Sequence, residues 1–151
     1  MLDIDTPADM DAHVGTSLGT GDWLTVTQEM IDLFADATGD HQWIHVDRAR
    51  AAREMPGGTT IAHGYLTLSL LPRLSAEVFA IRHKSRAINY GSNKVRFTSP
   101  VPAGARVRAQ LTLRASEPIE GGRRLIVEAT VEIEGQTRPA LVAETITLSF
   151  A

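Results

Sequence analysis

The sequence contains no cysteine. That excludes a disulfide framework, a thiolate metal site and a thiol nucleophile. Long apolar runs are also missing. The longest stretch without formal charge is Met55–Pro72, 18 residues that include two Pro, three Gly, three Thr, a Ser and a His. A membrane-spanning helix needs ~20 mostly apolar residues, so none is expected. Residues 1–47 contain no Lys or Arg against ten Asp and Glu. Asp3, Asp5, Asp9 and Asp11 are the opposite of a basic leader, and the expectation is a soluble, cytoplasmic protein without a membrane partner. Acids, in turn, are absent between Glu77 and Glu117, where Arg82, Lys84, Arg86, Lys94, Arg96, Arg106 and Arg108 stand.

What is present fits one globular domain, 1–151. The 151 residues are 43% hydrophobic and 22% charged. A chain of this size buries roughly 70% of its unfolded surface. The net charge of −3 hides a strong asymmetry, because residues 48–151 carry 15 Lys and Arg against eight Asp and Glu. Such a division can mark an anionic partner. Nucleic acid is not expected, since the isoelectric point is about 5.9 and only Tyr90 and Phe97 are aromatic near the basic run. A small phosphorylated ligand suits it better, and the acids of the first third read mostly as solvated faces.

The hydrophobic period changes along the chain. Met30, Ile31, Phe34, Ala35 and Ala37 give a helical stripe over 27–38, with Thr27 placed to cap it and Gly39 to end it. Residues 47–54 read as a short polar helix or turn, and Met55-Pro56-Gly57-Gly58 as a breaker. From about Ala62 to Phe79 apolar residues cover most of a helix circumference, which predicts a buried helix bent or interrupted at Pro72. Beyond Ser85 the period becomes two. Val107, Ala109, Leu111 and Leu113 share one face, and so do Leu125, Val127, Ala129, Val131 and Ile133. Residues 140–150 alternate too, with Glu144 in the phase of Val142, Ile146 and Leu148. Glu120-Gly121-Gly122 and Glu134-Gly135-Gln136 are turn signals. Trp23–Val26 is a further candidate strand. Helices followed by an antiparallel meander predict an α+β fold, one buried helix lying on a curled sheet.

Three clusters could carry chemistry. Gly39-Asp40-His41-Gln42-Trp43-Ile44-His45 reads as a loop that brings a carboxylate and an imidazole together, the minimum for acid–base work near neutral pH. His41 and His45 have a zincin-like spacing, but Gln42 stands where the zincin Glu would be. Asp40, His41, His45 and His63 could still ligate a metal. Thr59 to Tyr65 lead into the buried helix, whose first N–H groups have no intrahelical acceptor and can stabilise a developing oxyanion. Gly64 there lets a ligand approach the backbone, or lets helix and sheet pack closely. Asn89 to Pro102 lie in the acid-free segment, where Lys94 and Arg96 would suit phosphates.

In this order and spacing the three clusters resemble the MaoC-like hydratase family of the hotdog fold. The family's D-x-N-P-x-H, I-A/V-H-G and F-x-x-P-V motifs correspond to Asp40…His45, Ile61-Ala62-His63-Gly64 and Phe97-Thr98-Ser99-Pro100-Val101. Gln42 replaces the usual Asn and Trp43 the usual Pro. The resemblance covers residues from about 20 to 150, and GDHQWIHVD with TTIAHGYLTLSLLPRL and INYGSNKVRF is most similar to the NodN-like subgroup.

The resemblance implies an antiparallel sheet wrapped around a long central helix, with a homodimer as the working unit. It implies (R)-specific hydration of trans-2-enoyl-CoA to (R)-3-hydroxyacyl-CoA, with the acyl-CoA thioester as substrate and neither cofactor nor metal. Asp40 and His45 would hold and activate one water. The Gly64 N–H would bind the thioester carbonyl. Gln42, His63, Tyr65 and Asn93 are further substrate-binding candidates, and Lys94 and Arg96 are candidates for the CoA phosphates. Tyr65, Leu66 and Leu70 could line the acyl slot. Two alternatives remain: a hotdog acyl-CoA thioesterase, and a non-catalytic module that binds acyl thioesters or carrier protein.

Overall fold

A computed structural model describes residues 1–151. The chain begins with a short strand β1 (Leu2–Ile4), a 3₁₀ turn at Pro7–His13, and strands β2 (Ser17–Thr20) and β3 (Leu24–Thr25). Helix α1 (Gln28–Thr38) has the expected ends. Thr27 Oγ1 accepts the Met30 N–H at 3.2 Å, and Gly39 turns the chain out with φ 79°. Residues 39–45 are less loop-like than their sequence suggests, because Trp43–Val46 close one helical turn, α2. Helix α3 (Arg48–Glu54) follows, capped by Asp47.

The buried helix is two short helices, α4 (Gly64–Ser69) and α5 (Leu71–Ala76). The interruption expected at Pro72 is present, and the helical span ends at Ala76, short of Phe79. Pro72 offers no N–H to the preceding turn and its ring collides with that turn, so the first helix stops at Ser69. Pro72 then sits in the first turn of the second, where its missing N–H costs nothing. Phe79 already belongs to strand β4 (Phe79–Ile81), which pairs in parallel with β1. Asp3 and Asp5 secure that pairing through Arg82 and His83, and Asp11 binds Arg123, so these acids are more than solvated faces.

The main sheet runs β2–β6–β7–β8–β5, with β3 also on β6. Its long members are β5 (Arg86–Phe97), β6 (Arg106–Ile119), β7 (Gly122–Ile133) and β8 (Leu141–Phe150), all antiparallel. The predicted inner faces of β6 and β7 are buried as read, against Leu66, Leu70, Leu71 and Leu74 of the helix pair. Each such fully buried side chain stabilises the fold by about 1.5–3 kcal/mol.

Strand β8 inverts its apparent pattern. Val131, Ala129 and Val127 lie directly opposite Leu141, Ala143 and Thr145, and directly opposed residues share a face. The inner face of β8 is therefore Leu141, Ala143, Thr145, Thr147 and Ser149. Val142, Ile146 and Leu148 lie on the outer face with Glu144, so Glu144 breaks no core. Its carboxylate accepts from Asn93 Nδ2 at 2.7 Å, opposite Lys94.

Candidate active site

Asp40 follows the Gly39 turn at the end of α1. Its backbone N–H reaches Thr38 Oγ1 at 3.4 Å, and its Oδ1 accepts the Gln42 N–H at 3.4 Å. This local turn leaves the carboxylate exposed. Helix α2 then places His45, 7% exposed, beneath it. Nδ1 of His45 lies 2.7 Å from the Ile61 carbonyl oxygen. A carbonyl can only accept, so Nδ1 carries the proton and Nε2 presents a bare lone pair. Burial pushes the His45 pKa down, and the nearby His63 adds to that. The Ile61 bond and the Asp40 charge oppose it less strongly. His45 is thus held neutral, in the tautomer of a base.

Two brackets fix the base. Ile61 N–H donates to the Ile44 carbonyl at 3.0 Å, tying the 59–62 segment to α2. From the other side the buried Gln28 of α1 donates through Nε2 to the His45 carbonyl at 2.7 Å and to Asp32 at 2.9 Å. The buried Thr60 hydroxyl donates to Gln28 Oε1. Gln28 is not among the candidates named from the sequence; the signal that could have found it is phase, since Gln28, Ile31 and Ala35 share the buried face of α1.

His63 is 3% exposed and lies under the pair. Its ring stacks on His45 with centroids 3.8 Å apart, and its Nε2 donates to the Asp40 carbonyl at 2.9 Å. The next residue, Gly64, opens α4, and its N–H has no acceptor within the protein. A Cβ on Gly64 would lie 3.0 Å from the Phe97 ring, so glycine is what lets that ring cover the helix start.

Ligand atoms of Asp40, His45 and His63 fall within 4.8 Å of one another, close enough to consider a divalent cation. Two of the four ring nitrogens, however, already serve carbonyls, and the stacked rings direct their lone pairs along nearly parallel planes. The arrangement suits a carboxylate beside a single imidazole base. His41 is outside the group: Nε2 donates to Asp36 at 2.9 Å, and that bond raises its pKa.

The remaining candidates are dispersed. Gln42 is exposed at the start of α2, its side chain free of hydrogen bonds within the protein. Tyr65 is 68% exposed and packs edge-on against Phe97. Asn93 is spent on Glu144. Leu66 and Leu70 belong to the core. A cleft of about 590 Å³ lies between the helix pair and the sheet, lined by Leu68, Leu71, Phe79, Val127, Thr145 and Thr147 and not by Tyr65, Leu66 or Leu70. The basic run also divides. Arg82, Arg106 and Arg108 are paired with Asp3, Glu134 and Glu132, whereas Lys84, Arg86, Lys94 and Arg96 have no carboxylate partner.

With this geometry in view, the family model for the MaoC like domain matches residues 9–136. The chain belongs to the MaoC-like dehydratase family. It is 53% identical over 147 residues to the 3-hydroxyacyl-thioester dehydratase Z of Mycobacterium tuberculosis (strain ATCC 25618 / H37Rv), covering 97% of each chain. It is 49% identical over 144 residues to the nodulation protein N of Rhizobium leguminosarum bv. viciae, covering 93% of this chain and 89% of that one. The structure of the R-hydratase PhaJ1 from Pseudomonas aeruginosa superposes with a TM-score of 0.76 at 24% identity, over 95% of this chain and 84% of that chain. This MaoC-like chain has the α+β hotdog fold of those structures and is an enzyme of the hydro-lyase class. The NodN-like likeness seen in the motifs holds as well.

Proposed function

We propose that the chain adds water across the double bond of a trans-2-enoyl-CoA to give an (R)-3-hydroxyacyl-CoA, and catalyses the reverse dehydration. The observation that carries this reading is the convergence of three groups. They are a neutral imidazole with a free Nε2, a carboxylate beside it, and the unpaired N–H of Gly64.

Water is a weak nucleophile, so its proton must leave as its oxygen attacks the β-carbon. His45 Nε2 takes that proton while Asp40 holds the water. The electron pair of the double bond moves toward the thioester carbonyl, and the Gly64 N–H receives the growing negative charge. The pair then returns one proton to the α-carbon, so H and OH are added and both side chains end as they began. A positioned base contributes typically about 10²–10⁴-fold, and an oxyanion donor roughly 10²–10³-fold. No step calls for a cofactor.

The cleft beside α4 would take the acyl chain. The unpaired Lys94 and Arg96 on β5, with Lys84 and Arg86, support a seat for the CoA phosphates. A homodimer fits the same strand. Strand β5 has a neighbour only on its β8 side and exposes Ile88, Tyr90 and Phe97 along twelve residues. A long open edge of this kind calls for a partner.

The test is a turnover assay on trans-2-enoyl-CoAs of increasing length, reading loss of enoyl absorbance and release of free thiol together. Hydration without thiol release is expected. Thiol release would make the chain a thioesterase, and binding without turnover would make it a binding module.

A further inference from the structure

We propose that His63 is the positioning residue of the site, a neutral imidazole that holds base, carboxylate and oxyanion donor in one register. The inference rests on the hydration reading above and extends it to a group that touches no substrate.

Each ring atom of His63 that can be accounted for has a structural task. Its face lies on the His45 ring at 3.8 Å and 26° between planes, and Phe34 packs against it with centroids 4.9 Å apart. The His45 ring is thus held from swinging away from the side on which Nε2 is presented. Nε2 of His63 donates to the carbonyl of Asp40 itself, the one long-range tether on that otherwise exposed residue. The backbone of His63 caps α4, so the ring and the Gly64 N–H move as one piece. Three groups on separate segments are therefore fixed by a single side chain.

The remaining nitrogen gives the protonation state. Nδ1 of His63 is buried and has no hydrogen-bond partner. A proton placed there would be a charge without solvent or acceptor, against a second imidazole. Because Nε2 faces a carbonyl it must carry the hydrogen, and Nδ1 is left bare. His63 and His45 are then opposite tautomers, one protonated at Nε2 and the other at Nδ1. The titratable groups that face His45 are His63, from the segment before α4, and Asp40, from the turn before α2.

Two variants separate the tasks. His63→Phe keeps a flat ring on His45 but loses the tether to Asp40. His63→Gln places an amide N–H near the position of Nε2 and restores the tether without the ring. A displacement of about 1 Å at a reacting group can cost roughly 10²-fold. His63→Phe should lower kcat by about tenfold or more with little change in KM. His63→Gln should recover a substantial part of kcat. Long-range proton–nitrogen correlation spectra of the ¹⁵N-labelled protein without substrate should show His45 protonated at Nδ1 and His63 at Nε2 at neutral pH. The spectra need no turnover, so they test His63 even if the wild-type chain proves not to hydrate enoyl thioesters. A doubly protonated His63, the other tautomer, or His63→Phe with wild-type kcat would overturn the proposal.

Discussion

At the scale of the residue, reactivity here is a matter of which nitrogen holds a proton. The Ile61 carbonyl claims Nδ1 of His45, and burial lowers the pKa of the ring. A base whose pKa is depressed is free over more of the acidic range, and activity is lost as pH falls through the lowered value. The acid limb of kcat/KM for hydration should therefore lie below the ordinary histidine value of about 6.5, as a pH–rate profile will show. Gly64 gives a second prediction. A methyl group there must displace the Phe97 ring, 3.0 Å away. Gly64→Ala should lower kcat/KM by roughly tenfold while the protein remains folded by circular dichroism. Asp40, His45, His63 and Gly64 could be named as candidates from two short motifs, each with its own local geometry. How the two motifs meet was not legible, since the Asp40–His63 and His45–Gln28 bonds span 23 and 17 residues and only the tertiary fold brings them into reach.

At the scale of the element, the turn α2 that carries His45 has four residues and no stability of its own. It is held by Gln28 from α1 and by Ile61 from the following segment. Gln28→Leu would leave the buried His45 carbonyl and the Thr60 hydroxyl without their partner. That should cost about 1–3 kcal/mol in urea unfolding and lower kcat more than it raises KM. Thr27→Ala, at the N-cap immediately before Gln28, should cost about 1 kcal/mol through the lost cap and leave kcat unchanged. The helices and strands themselves were mostly readable from period. Pro72 announced the interruption of the buried helix without choosing between a bend and a break. One feature was not readable. The inner face of β8 required its register with β7, because a strand with Thr145, Thr147 and Ser149 inside and Val142, Ile146 and Leu148 outside looks inverted when read alone.

At the scale of the whole molecule, the charge asymmetry of the sequence is partly absorbed by the fold. Arg82, Arg106, Arg108, Arg114 and Arg123 each face a carboxylate, whereas Lys84, Arg86, Lys94 and Arg96 cluster around β5 without one. Lys94→Ala with Arg96→Ala should raise KM for a CoA substrate several-fold at low salt, with the effect shrinking as salt screens the phosphates. The same strand is the open edge of the sheet. Sedimentation at micromolar concentration should show a dimer for the native chain, and Ile88→Lys with Tyr90→Lys should shift it toward the monomer. No helix is long and apolar enough to cross a membrane.

The central claim is that Asp40 and His45 together add water to an enoyl thioester, and it is tested most directly by hydration of a trans-2-enoyl-CoA by Asp40→Asn and His45→Gln beside the native chain. Each variant should fold normally and lose at least about 10²-fold in kcat. Near-native hydration by either one would contradict the assignment of the reaction to this pair.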